Sequence, residues 1–124
     1  MASDCGSITY FARPGKENTE PTLKIAKERA EQLGIHQVLV ASTGGDTGRR
    51  AAELFADHGL VVVTHSAGLN EPNAQQLTEE NREAILAQGA RLLTCQHAFG
   101  GVNRAVRRKL ATYQLDEIIA YTLR

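Results

Sequence analysis

At 124 residues, with hydrophobic residues at 42% and charged residues at 23%, the chain reads as one globular domain over 1–124. It is too short for two independent cores and too apolar for a disordered tail. Fourteen Lys and Arg balance fourteen Asp and Glu, so no net field draws in nucleic acid or an anionic membrane, and any anion binding has to be local. The apolar runs, such as LVVV at 60–63, fall far below the ~20 residues that cross a bilayer, and the first six residues lack a secretory apolar region. A cytoplasmic protein without a membrane partner is expected. Cys5 and Cys95 belong to no C-x-x-C pair, so neither a zinc nor a redox motif is present and no structural disulfide is expected.

Taken in chain order, residues 8–11 offer a short apolar stretch that could add an edge strand. Over 19–33 the period is helical, with Leu23, Ala26, Ala30 and Leu33 on one stripe and Lys24, Lys27, Glu28 and Glu31 facing water. Asn18 or Thr19 can cap this helix, Pro21 is tolerated in its first turn, and Gly34 can end it in the left-handed conformation. Residues 37–42 (QVLVAS), 60–64 (LVVVT) and 91–94 (RLLT) read as strands, the first two as buried ones. Helices are expected between them at 47–58, stopped by Gly59, and at 78–88, stopped by Gly89. Two further helices are expected at 102–110 and 115–123.

Alternation of strand and helix implies βαβ crossovers, and so an α/β fold: an open, doubly wound, mostly parallel sheet with helices on both faces in three layers. Three or four strands leave edges that further sequence, or a partner subunit such as a second copy in a homo-oligomer, would cover.

Ser42-Thr43-Gly44-Gly45-Asp46-Thr47-Gly48 falls between the first strand and the next helix. Glycines there let a ligand approach the backbone, the helix end is positive, and the Ser42, Thr43 and Thr47 hydroxyls can donate; this is phosphate-binding chemistry. Neither better-known glycine motif fits. Asp46 stands where G-x-G-x-x-G needs its second glycine, no GK[ST] follows, and the second strand ends in Thr64-His65 with no acid for a ribose. The same residues also suit a plain tight turn capped by Asp46, and both readings stay open. In a parallel sheet the carboxyl ends of all strands share one rim, which brings 64–73 and Gln96-His97 beside the glycine loop. His65 and His97 are therefore candidate anion donors or acid-base groups, against the alternative that each only bonds a strand end. Arg104, one turn into the helix after Gly100-Gly101, is a candidate second anion contact, although its basic run also suits a solvated helix face. His36 and His58 sit beside glycines and read as structural.

With these residues in view the chain resembles the pyruvate kinase α/β-domain family, proteins similar to the C-terminal domain of pyruvate kinase. The resemblance is carried by YFARPGKENT at 10–19 before a Thr22-Leu23 helix, then VLVASTGGDTG, VVTHSAG and HAFGGVNRAVRRK. It implies that residues 42–47 correspond to the loop that holds an effector phosphate. Two departures matter: Gly44 replaces a hydroxyl residue, and Asp46 sets a carboxylate where it competes for the same N–H groups or binds a sugar hydroxyl or cation. The resemblance further implies strand and helix units beyond Arg124. The catalytic barrel and its metal ligands have no counterpart, so pyruvate kinase activity, cofactor and metal are not expected.

Three functions follow as expectations. The first is a non-catalytic domain that binds a phosphorylated metabolite or phosphate through Ser42, Thr43, Gly44, Gly45, Asp46 and Thr47, with His65, His97 and Arg104. The second is a small lyase similar to methylglyoxal synthase, whose T-G-rich loop STGGDTG resembles, with Asp46 and His65 as acid and base. The third is an oligomerisation or interaction module.

Overall fold

A computed structural model describes residues 6–68, 70–96, 100–111, 119 and 121–124. A 3-10 turn at Lys16–Asn18 leads into α1 (Thr19–Gln32), followed by β1 (Gln37–Ala41), α2 (Asp46–Leu54), β2 (Gly59–Val63), α3 (Glu79–Ala87), β3 (Arg91–Leu93) and α4 (Gly100–Leu110). The three strands form one parallel sheet in the order β1-β2-β3, with Val40 opposite Val62 and Val62 opposite Leu92. The protein is thus α/β. Residues 8–11 form no strand and pair with neither edge of the sheet; Ile8 and Tyr10 lie exposed. The expected helix at 115–123 falls mostly outside the described residues.

Alternate residues of β2 decide the layering. Leu60 and Val62 point to one face, where they meet Leu23 of α1, Ala51, Ala52 and Phe55 of α2, Ile85 of α3, and Ala90. The other face presents Leu39, Val61, Val63 and Leu93, with Leu39 70% exposed. Sequential right-handed crossovers in one direction place their helices on one side. The expected three-layer, doubly wound arrangement is therefore met on one face only among the described residues, and the strand order has no reversal. Among those residues no helix is long and apolar enough to cross a membrane.

Local chemistry explains the element ends. Gly34 ends α1 at φ 65°, as expected. α2 stops at Leu54, four residues before the expected end, because Phe55 turns into the core at 1% exposure and its carbonyl accepts from the His58 amide. Gly59 accordingly opens β2 rather than closing the helix. Lys27 Nζ donates to the Leu54 carbonyl at 2.8 Å, satisfying one of the acceptors that a helix end leaves free. His58 sets its ring edge-on to Phe55, with centroids 5.3 Å apart, and reaches Asp57 through Nδ1.

Candidate functional site

The glycine loop leaves the carboxyl end of β1, as expected, and is held by three contacts. The Ser42 amide donates to the Val63 carbonyl, extending the β1–β2 ladder by one residue. The Ser42 Oγ is buried and accepts from the Gly48 amide at 3.0 Å. Asn81, in the first turn of α3, donates from Nδ2 to the Gly44 carbonyl and to Asp46 Oδ1, both at 3.0 Å. Gly45 has a φ of 103°, and a Cβ there would stand 2.5 Å from the Asn81 Cβ, so backbone and neighbour both require glycine. Gly48 serves packing instead: its missing side chain lets α2 settle on Val62, whose Cγ1 would be 2.6 Å from a Cβ.

Of the first-turn amides of α2, Gly48 is taken by Ser42 and Arg49 by the Gly45 carbonyl, while those of Asp46 and Thr47 have no backbone partner among the described residues. Beside them lies a hollow of about 350 Å³ lined by Lys16, Thr19, Glu20, Asp46, Thr47 and Arg50. Lys16 comes from the turn before α1 and makes no ion pair among the described residues. Arg50 is engaged: it donates from Nη2 to Glu20 at 2.9 Å and through its other nitrogens to Glu20 and Glu53. These pairings, Glu20 foremost, raise the Arg50 guanidinium above its ordinary range, and Arg50 in turn lowers the Glu20 carboxyl. Lys16 is thus the cation of this hollow left to meet a ligand.

The expected site residues are only partly gathered. Asp46 and Thr47 line the hollow; Ser42 and Gly45 are buried behind it, Gly44 is half-buried, and Thr43 is exposed. His65 is not among the lining residues: its Nδ1 stands 3.3 Å from the Ser66 carbonyl, and its own carbonyl accepts from Gln75. Arg104 borders a different hollow, with Ser66. His97 lies outside the described residues, as does Cys5, whereas Cys95 is a free, exposed thiol. Lys16, Thr19 and Arg50 were absent from the expected set. The signal for Lys16 was its place in Pro14-Gly15-Lys16, a turn directly before a helix whose start must lie near the sheet rim.

Fold and hollow together define a small α/β protein with a polar recess at a helix N-terminus. No family model matches the chain.

Proposed function

We propose that the chain binds a small phosphorylated metabolite, a sugar or polyol phosphate, in the hollow at the start of α2. The observation that carries this reading is the juxtaposition of Lys16 with Thr47 and the two unpartnered amides of the first turn. A phosphoryl group there takes donors from Lys16 Nζ, the Thr47 hydroxyl and those amides, and the helix end supplies partial positive charge. Asp46 and Glu20 are acceptors, so they suit the hydroxyls of a sugar better than a second phosphate. This is ligand binding without a catalytic step. The finer reading of the fold, a relative of the pyruvate kinase C-terminal domain, rests on the sequence stretches named above.

A thermal-shift screen with inorganic phosphate, triose phosphates, fructose bisphosphate and nucleotides tests it, repeated on Thr47→Ala and Lys16→Gln. Stabilisation by a sugar phosphate that both variants lose is expected; a shift that both retain, or none with any phosphate, defeats the reading. A second reading, an interaction module, is favoured by the uncovered sheet face with Leu39 and Leu93. A strictly monomeric mass in solution at high concentration argues against self-association through that face.

A further inference from the structure

On the same rim of the sheet, a second and smaller hollow of about 110 Å³ is lined by Ser66, Ala67, Gly68, Gln96, Arg104 and Arg108. It shares no residue with the recess at α2. Ser66 follows β2, Gln96 follows β3, and the two arginines project from α4 at positions i and i+4, hence on one side of the helix. No carboxylate borders it among the described residues. Neither Arg104 nor Arg108 makes an ion pair among the described residues, whereas Arg49, Arg50 and Arg82 all do. Ser66 is 6% exposed, and its hydroxyl has no hydrogen bond among the described residues.

We propose that this hollow is a site for a tetrahedral oxyanion, the phosphoryl group of a small metabolite or the free phosphate ion. Like charges four residues apart destabilise a helix, and the Ser66 hydroxyl, on a residue 6% exposed, has no protein partner among the described residues. One oxyanion offsets the repulsion and gives the hydroxyl an acceptor. Its oxygens accept from two guanidinium forks, the Ser66 hydroxyl and the Gln96 side-chain NH2. The volume suits a single phosphoryl group and not a ring.

The test is an NMR titration of the isotopically labelled chain at constant ionic strength with inorganic phosphate, glycerol phosphate, acetate and chloride. Phosphate or its ester is expected to give saturable shifts at the Ser66, Ala67 and Gly68 amides and the Arg104 and Arg108 Nε–H groups, and acetate and chloride none that saturate. Arg104→Gln and Arg108→Gln are expected to weaken binding at least tenfold, Ser66→Ala at least threefold, and Arg107→Gln less than twofold. The dispersed spectrum of each variant reports that it is folded. A tighter ester than free phosphate identifies a metabolite's phosphoryl group, and the reverse order the free ion; either supports the site. Absence of saturable shifts at these residues, undiminished shifts in the arginine variants, or an equal loss in Arg107→Gln overturns it. Shifts confined to Asp46 and Thr47 would support the recess at α2 and overturn this proposal alone, and the opposite pattern would do the reverse.

Discussion

α2 and α4 begin alike and end differently. After a strand at the same rim of the sheet, α2 follows a Gly-Gly pair and α4 opens on one, and each carries consecutive arginines. α2 buries Gly48, Ala51 and Ala52, and its Arg49 and Arg50 meet Glu80, Glu20 and Glu53 from its own helix and its two neighbours. α4 buries no residue, and among the described residues Arg104 and Arg108 meet no acid. Packing and charge neutralisation therefore go together here: a helix seated between two others finds their acidic side chains, and one lying apart keeps its field. The seated helix supplies the scaffold, and the unseated one the stronger unneutralised charge.

The most severe way to break this contrast is in the core under α2. Phe55 is 1% exposed and shares the cluster with Leu60, Val62 and Ile85, so Phe55→Ala is expected to cost about 3–5 kcal/mol. Val102→Ala on α4, at 52% exposure, is expected to cost less than about 0.5 kcal/mol. Paired urea titrations check both; equal losses would end the distinction between the helices.

Gly48→Ala comes next. The new methyl group would stand 2.6 Å from Val62 Cγ1 and 3.1 Å from Ile85 Cδ1, forcing α2 off the sheet at about 1–3 kcal/mol. The same substitution at Gly101, where a Cβ meets only Gln96 Oε1 at 3.7 Å, should leave the midpoint unchanged or slightly raised. Asn81→Ala deprives the Gly44 carbonyl of its Asn81 donor and frees Asp46, with an expected loss of about 1–3 kcal/mol. Faster amide exchange at 43–48 than at 64–67 would locate the damage at the glycine loop.

The smallest effect is electrostatic. His58 first, and then Lys27, hold the Asp57 carboxyl down from 3.8 to about 2. A carboxyl lowered in the folded state adds stability above its unfolded value, and that stability is lost as the pH falls from about 3.8 through about 2. The Asp57 carboxyl resonance should titrate near 2, and Lys27→Met should raise its midpoint. No acid on α4 should show such a shift, because Gly100–Leu110 holds none.

Much of the frame was legible because it is periodic. Three strands and four helices appear within a few residues of where apolar spacing set them, and the glycine loop stands at the end of β1. Residues whose role depends on a distant partner were not legible. Asn81 looks like an ordinary polar residue of a helical first turn, yet it bridges 37 residues to Gly44. Lys16 and Arg50 reach one recess from different elements, and pairing to Glu20 makes one of them neutral in effect and leaves the other charged. His65 had two readings open, a ligand donor or a group that bonds a strand end; its Nδ1 stands by the Ser66 carbonyl, away from the recess at α2.

Local pattern by itself determined which segments are strands and helices, where glycine must break them, and that a glycine-rich loop leaves the end of β1, because spacing and backbone freedom are properties of short stretches. Only the tertiary structure decided that α1, α2 and α3 settle on one face, that Ser42 and Asn81 are occupied in holding the loop, and that Arg104 and Arg108 lie beside Ser66 with no acid paired to them among the described residues. Those outcomes depend on which surfaces compete for the same apolar face or carboxylate, and that competition is settled only when remote segments meet.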